Sequence, residues 1–70
     1  MEAYQERVVQ ERADLAEKIV KLVTFIDTNP TFKTLADEDR LLMERQRRTM
    51  LEYRDILDDR IARFAPVKEI

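Results

Sequence analysis

Between Glu2 and Asp27 the apolar residues Val8, Leu15, Ile19, Leu22 and Ile26 recur in steps of three, four and seven, with neither proline nor glycine among them. That rhythm predicts a helix over about residues 2–28 with a heptad seam on one side. With Val8, Leu15 and Leu22 at d, the a positions are Gln5, Arg12, Ile19 and Ile26. The seam is therefore polar near its start and apolar at its far end.

A second stripe, Val9, Ala13, Ala16, Val20 and Val23, follows one residue behind, about 100° around the helix. One partner helix cannot cover both stripes, so the second is expected to meet other copies of the chain. Gln10, Glu11, Asp14, Glu17, Lys18 and Lys21 read as a solvated face, with Asp14–Lys18 and Glu17–Lys21 in the favourable i,i+4 order. Phe25 is the exception on that face.

Asp27-Thr28-Asn29-Pro30 ends the helix, because proline has no amide donor and disfavours helical geometry at the residue before it. Phe32 and Leu35 are too apolar for a free linker, so the hinge, residues 29–35, is expected to hold a short helical turn. Thr34 with Asp37 has the spacing of a capping box, and Asp37, Glu38 and Asp39 place negative charge at the start of a second helix, about 36–64. Met43, Met50, Leu57 and Phe64, seven apart, form its seam, with Ile61 beside them. Alongside, Leu42, Gln46, Thr49, Tyr53, Ile56 and Arg60 alternate apolar with hydrogen-bonding groups, the pattern of a semi-polar contact surface.

Both helices are about 40 Å long at 1.5 Å per residue. The expected fold is all-α: one helical-hairpin domain, residues 1–65, antiparallel, assembling into a homo-oligomeric bundle. The interface residues are Val9, Ala13, Ala16, Val20, Val23, Leu42 and Ile56. Residues 66–70 should form a flexible tail, with Val67 and Ile70 available to dock on a neighbouring subunit.

Composition supports assembly. Seventy residues without cysteine or histidine have no disulfide and no common zinc spacing to support a small core. With 40% charged and 44% hydrophobic residues the chain is not of disordered type. Its 13 basic and 15 acidic side chains argue against coating duplex nucleic acid or an anionic membrane. No apolar run is long enough to span a bilayer and the amino-terminal residues lack a signal-peptide pattern, so a cytoplasmic location is expected.

The absence of cysteine, histidine and glycine removes most nucleophilic, metal-dependent and phosphate-loop chemistry, and the chain is expected to be neither an enzyme nor a cofactor carrier. The acidic clusters Asp37-Glu38-Asp39 and Asp55, Asp58, Asp59 read as a helix start and a solvated face rather than a metal site. Arg40, Arg45, Arg47 and Arg48 give a local basic excess, with Glu44–Arg48 as an i,i+4 pair and Arg47 beside the Met43–Met50 seam.

An antiparallel pairing with Ile26 near the start of the second helix sets Arg12 at the level of Met50, Tyr53 and Arg54. Arg12 then needs a counter-charge: Asp55 or another subunit's carboxylate, which would fix register. Alternatively Arg12 and Arg54 hold a phosphate or carboxylate, with Arg47 adding charge, Tyr53 a flat stacking face and Gln46 an amide for edge recognition. These five residues are the candidate ligand site.

The motifs Tyr4-Gln5-x-Arg7-Val8, Leu15-x-x-Lys18-Ile19-x-x-Leu22-x-x-Phe25-Ile26 and Gln46-x-x-x-Met50-x-x-Tyr53-x-x-x-Leu57-x-x-Arg60-Ile61-x-x-Phe64 resemble a family of small tailed-phage proteins related to a protein of a crAss-like phage. The resemblance covers about Tyr4 to Phe64 and implies a phage or prophage source. The architecture is also similar in kind to helical hairpins of phage sponge proteins, which oligomerise and sequester the cyclic nucleotide signals of CBASS or Thoeris immunity. By that analogy, a phage anti-defence protein sequestering a small anionic cyclic nucleotide without cleaving it is the first expectation. An inhibitor of a host defence protein such as a CRISPR effector, and a structural helical adaptor, are the alternatives.

Overall fold

A computed structural model describes residues 1–64; the expected tail, 66–70, lies outside the described residues. Helix α1 runs Ala3–Thr28, a 3₁₀ turn occupies Pro30–Thr34, and helix α2 runs Asp37–Ala62. α1 and α2 pack side by side as a hairpin. The expected helical turn in the hinge is therefore present.

Local chemistry sets each boundary. At the start of α1 the Glu2 amide donates to Gln5 Oε1 at 2.8 Å, satisfying a donor that the helix leaves without a partner. At its end the Asn29 amide still reaches Phe25 O at 3.1 Å, and Pro30 then prevents continuation. The Asn29 side chain accepts from the Thr31 amide at 2.9 Å, starting the 3₁₀ turn. The expected Thr34–Asp37 capping box does not form: Ala36 is the N-cap of α2, and the Thr34 hydroxyl donates back to Thr31 O at 2.7 Å. Thr34 lies inside the 3₁₀ turn, where a carbonyl three residues back is the nearer partner.

Val8, Leu15, Ile19 and Leu57 are buried, with Val23, Met50, Leu51, Ile61 and Phe64 packed against them. This is the predicted seam, and Leu57, 1% exposed, is its centre. Edge-on aromatic pairs close both ends. Tyr4 meets Phe64 with centroids 5.7 Å apart and planes at 77°, and Phe25 meets Phe32 at 6.3 Å and 89°. Phe25, anomalous on a polar face, is accounted for by the turn that folds back onto it.

The molecule measures 55 × 20 × 14 Å, close to one helix in thickness. Both broad faces of the hairpin are therefore open, and the α1 stripe divides between them and the seam. Val23 packs on the core and Ala16 is half-buried, whereas Val9, Ala13 and Val20 are exposed, Val20 at 63%. Among the described residues no helix is long and apolar enough to cross a membrane.

Candidate functional site

Three arginines occupy a positions of the seam, Arg12 on α1 and Arg47 and Arg54 on α2, and each is half-buried. An arginine there lays its stem on apolar surface and must find a partner for its head. The three differ in what they find.

Arg12 donates through Nε to Asp58 Oδ1 at 2.7 Å and through Nη2 to Asp58 Oδ2 at 3.2 Å. The hydrogen bond from Arg12 holds the Asp58 carboxyl below the usual range, and the same bond raises Arg12. The expected partner, Asp55, is corrected to Asp58. The register differs from the expected one by about a turn, so Arg12 faces Asp58 rather than Met50, Tyr53 and Arg54. Asp58, read as part of a solvated face, is instead a seam-edge residue next to Leu57.

Arg47 is neutralised twice, by Glu44 at 2.5 Å and, across the hinge end, by Asp27 at 3.6 Å. The expected Glu44–Arg48 pair is thereby replaced by Glu44–Arg47. Both members of the observed pair are half-buried and Arg48 is exposed, and charge pairing strengthens as water is withdrawn.

Arg54 is the least satisfied of the three. Its Nε is buried with no hydrogen-bond partner, and its Nη2 lies 3.7 Å from Asp55 Oδ1, beyond hydrogen-bond distance. At the hinge end Arg40 also has a buried, unpartnered Nε, but its Nη2 is engaged by Asp37.

Tyr53 is 39% exposed and borders an open groove of about 500 Å³ with Arg7, Gln10, Glu11, Asp14, Leu15 and Lys18. Gln46, exposed, borders a separate depression of about 270 Å³ with Leu42, Arg45, Thr49 and Met50. Tyr53 and Asp58 are five positions apart, about 140° around α2. The structure thus sets Gln46 two turns from Tyr53, opens the Tyr53 groove on one flank, and keeps Arg54 on the side of the Arg12–Asp58 pair, where it too acts on the Asp58 carboxylate. Arg7, Gln10 and Lys18, opposite Tyr53, were not among the sequence-derived site residues. Their only signal was that α1 must present some face to Tyr53, and register decides which.

Among the described residues no group of three or more carboxylates could hold a metal ion. The elements present are a guanidinium with one unpartnered Nε on the seam and, on the other flank, an aromatic ring at a mixed-charge groove.

The chain matches the Sequestin family over residues 2–63, nearly its whole length, and belongs to that family. No curated protein and no solved structure matches it.

Proposed function

We propose that this member of the Sequestin family is a phage-encoded anti-defence protein that binds a small anionic cyclic nucleotide in the host cytoplasm and withholds it without cleaving it. The carrying observation is Arg54, a seam guanidinium with a buried, unpartnered Nε, one residue after the exposed Tyr53. A phosphate would supply the charge-assisted hydrogen bonds that Asp55, at 3.7 Å, does not. Tyr53 offers the base a stacking face, and Gln46, on the same side of α2, offers an amide.

The family's name speaks of sequestration, which supports binding without turnover. A chain with no cysteine or histidine also lacks the commonest nucleophile and general base. Arg12 and Arg47, already paired, act in this reading as fixed parts of the scaffold. The site is completed where copies of the hairpin meet, since the groove beside Tyr53 is open.

Calorimetric titration of the purified protein against cyclic mono-, di- and trinucleotides tests this directly. At least one should bind, and chromatography after heat release should return it unaltered. Absence of binding across the panel, or recovery of a linear product, overturns the proposal.

A second reading, inhibition of a host defence protein, draws on Leu41. That residue is 68% exposed and borders a depression of about 410 Å³ with Phe32, Asp37, Arg40 and Glu44. A specific partner captured from host lysate and lost in Leu41→Glu would favour it over nucleotide binding.

A further inference from the structure

The outer face of α2 has a symmetry that the hairpin itself does not use. Leu42, Thr49 and Ile56 are seven apart and so form one line along the helix, about 100° from the Met43–Met50–Leu57 line that faces α1. Leu42 is 59% and Ile56 51% exposed, and Thr49 between them is exposed as well. Two large aliphatic groups are thus held in water at equal distances either side of a small one.

We propose that two copies of this chain pair through this face, α2 against α2, antiparallel about a two-fold axis passing near Thr49. The axis sets Leu42 of each copy against Ile56 of the other, since both are seven residues from the centre. The depression of about 270 Å³ lined by Leu42, Arg45, Gln46, Thr49 and Met50 is where Ile56 of the second copy arrives.

Charge selects the direction. Arg45 lies four residues before Thr49 and Glu52 three after it, both exposed, so antiparallel copies place Arg45 near Glu52 twice over. A parallel two-fold pairing would carry Arg45 and Glu52 of the two copies to opposite flanks of the interface, leaving neither with its counter-charge. One heptad beyond Ile56 the same line reaches Arg63, exposed and charged. The matched segment therefore runs from Leu42 to Ile56.

This pairing deepens the sequestration reading and supplies its assembly. Tyr53 and Gln46 lie along the edge of the same face, on the flank away from Arg45 and Glu52, so the axis brings two copies of each to one surface, with Tyr53 near Gln46 of the second copy. A single helix crossing is small beside a standard interface of ~1,600 Å², so pairing should depend on concentration.

The chain has no cysteine, which permits a clean test without nucleotide present. Thr49→Cys should cross-link to a covalent dimer under mild oxidation or with a short bis-maleimide, whereas Glu17→Cys, on the exposed face of α1, should not. Sedimentation equilibrium should give a dimer that Arg45→Glu or Glu52→Arg weakens roughly three- to ten-fold, with the double exchange restoring it. Circular dichroism establishes that each variant is helical. Equal cross-linking at both positions, a monomer at hundreds of micromolar, or a double exchange no better than the single variants overturns the pairing. Calorimetry on the same samples separates that failure from a failure of nucleotide binding.

Discussion

Arg12 and Asp58, 46 residues apart in the chain, meet fork to fork across the hairpin with contacts of 2.7 and 3.2 Å. This bidentate pair aligns the two helices at a level where the α1 seam is polar. It sits between the buried Val8 and Leu15 on α1 and beside Leu57 on α2. The pair works as a register pin: sliding either helix by one turn would break the two-pronged contact between Arg12 and Asp58.

Reversing either charge should therefore lower the melting temperature, and the exchange Arg12→Asp with Asp58→Arg should recover part of the loss. A double-mutant cycle followed by circular dichroism reads the coupling. Arg12→Lys should recover less than a true pair, because an ammonium cannot make the two-pronged contact.

Acid should act through the same contact. Asp58 titrates below its usual range when folded because Arg12 donates to it, so its stabilising contribution is complete above the ordinary carboxylate value near 4. That contribution is lost as pH falls from about 4 through the lower folded value. Arg12, raised, stays charged throughout this range. Melting temperatures between pH 6 and pH 2 should fall more steeply for the natural chain than for Asp58→Asn, and parallel curves would contradict this.

Leu57→Ala should cost about 2–5 kcal/mol, the range for removing a fully buried leucine. Among the described residues only Val8, Leu15 and Ile19 are buried alongside Leu57. Urea denaturation should find this variant largely unfolded at low concentration. Leu42→Ala, on the exposed face, should change hairpin stability little.

The two aromatic contacts should be separable by hydrogen exchange. Phe32→Ala removes the edge-on partner of Phe25 and should speed exchange at the end of α1 and the start of α2. The contact is worth about 0.5–1.5 kcal/mol beyond burial. Tyr4→Ala should loosen the opposite end instead, leaving the hinge protected.

For the proposed ligand, Arg54→Ala should weaken binding by ten-fold or more, while Tyr53→Phe should retain affinity and Tyr53→Ala lose it. Arg47→Ala should matter less, because Glu44 and Asp27 already occupy its charge. Calorimetric titration of the four variants orders these contributions. An Arg54→Ala protein binding as tightly as the natural chain would remove Arg54 from the site.

Within each helix the pattern of residues was enough. Val8, Leu15 and Ile19, and Leu57 opposite them, could be assigned to the seam because a step of 100° per residue fixes which side chains share a face. Pro30, with Phe32 after it, likewise announced an ordered turn, since proline ends a helix and an apolar residue in a hinge needs cover.

What lay between the helices had to come from tertiary structure. Arg12 plainly required a carboxylate, but whether Asp55 or Asp58 met it depended on register, which the hinge turn and the aromatic pairs at either end set together. Glu44 had Arg47 and Arg48 equally within reach along the chain, and burial on the seam decided for Arg47. The candidate site divides by azimuth as well: Arg12, Tyr53 and Arg54 were close in a pairing diagram, yet Arg54 shares the side of the Arg12–Asp58 pair while Tyr53 borders the groove on the other flank. A sequence specifies the faces of its helices through local geometry; which faces meet, and at what level, is a long-range choice made by the side chains that pack between them.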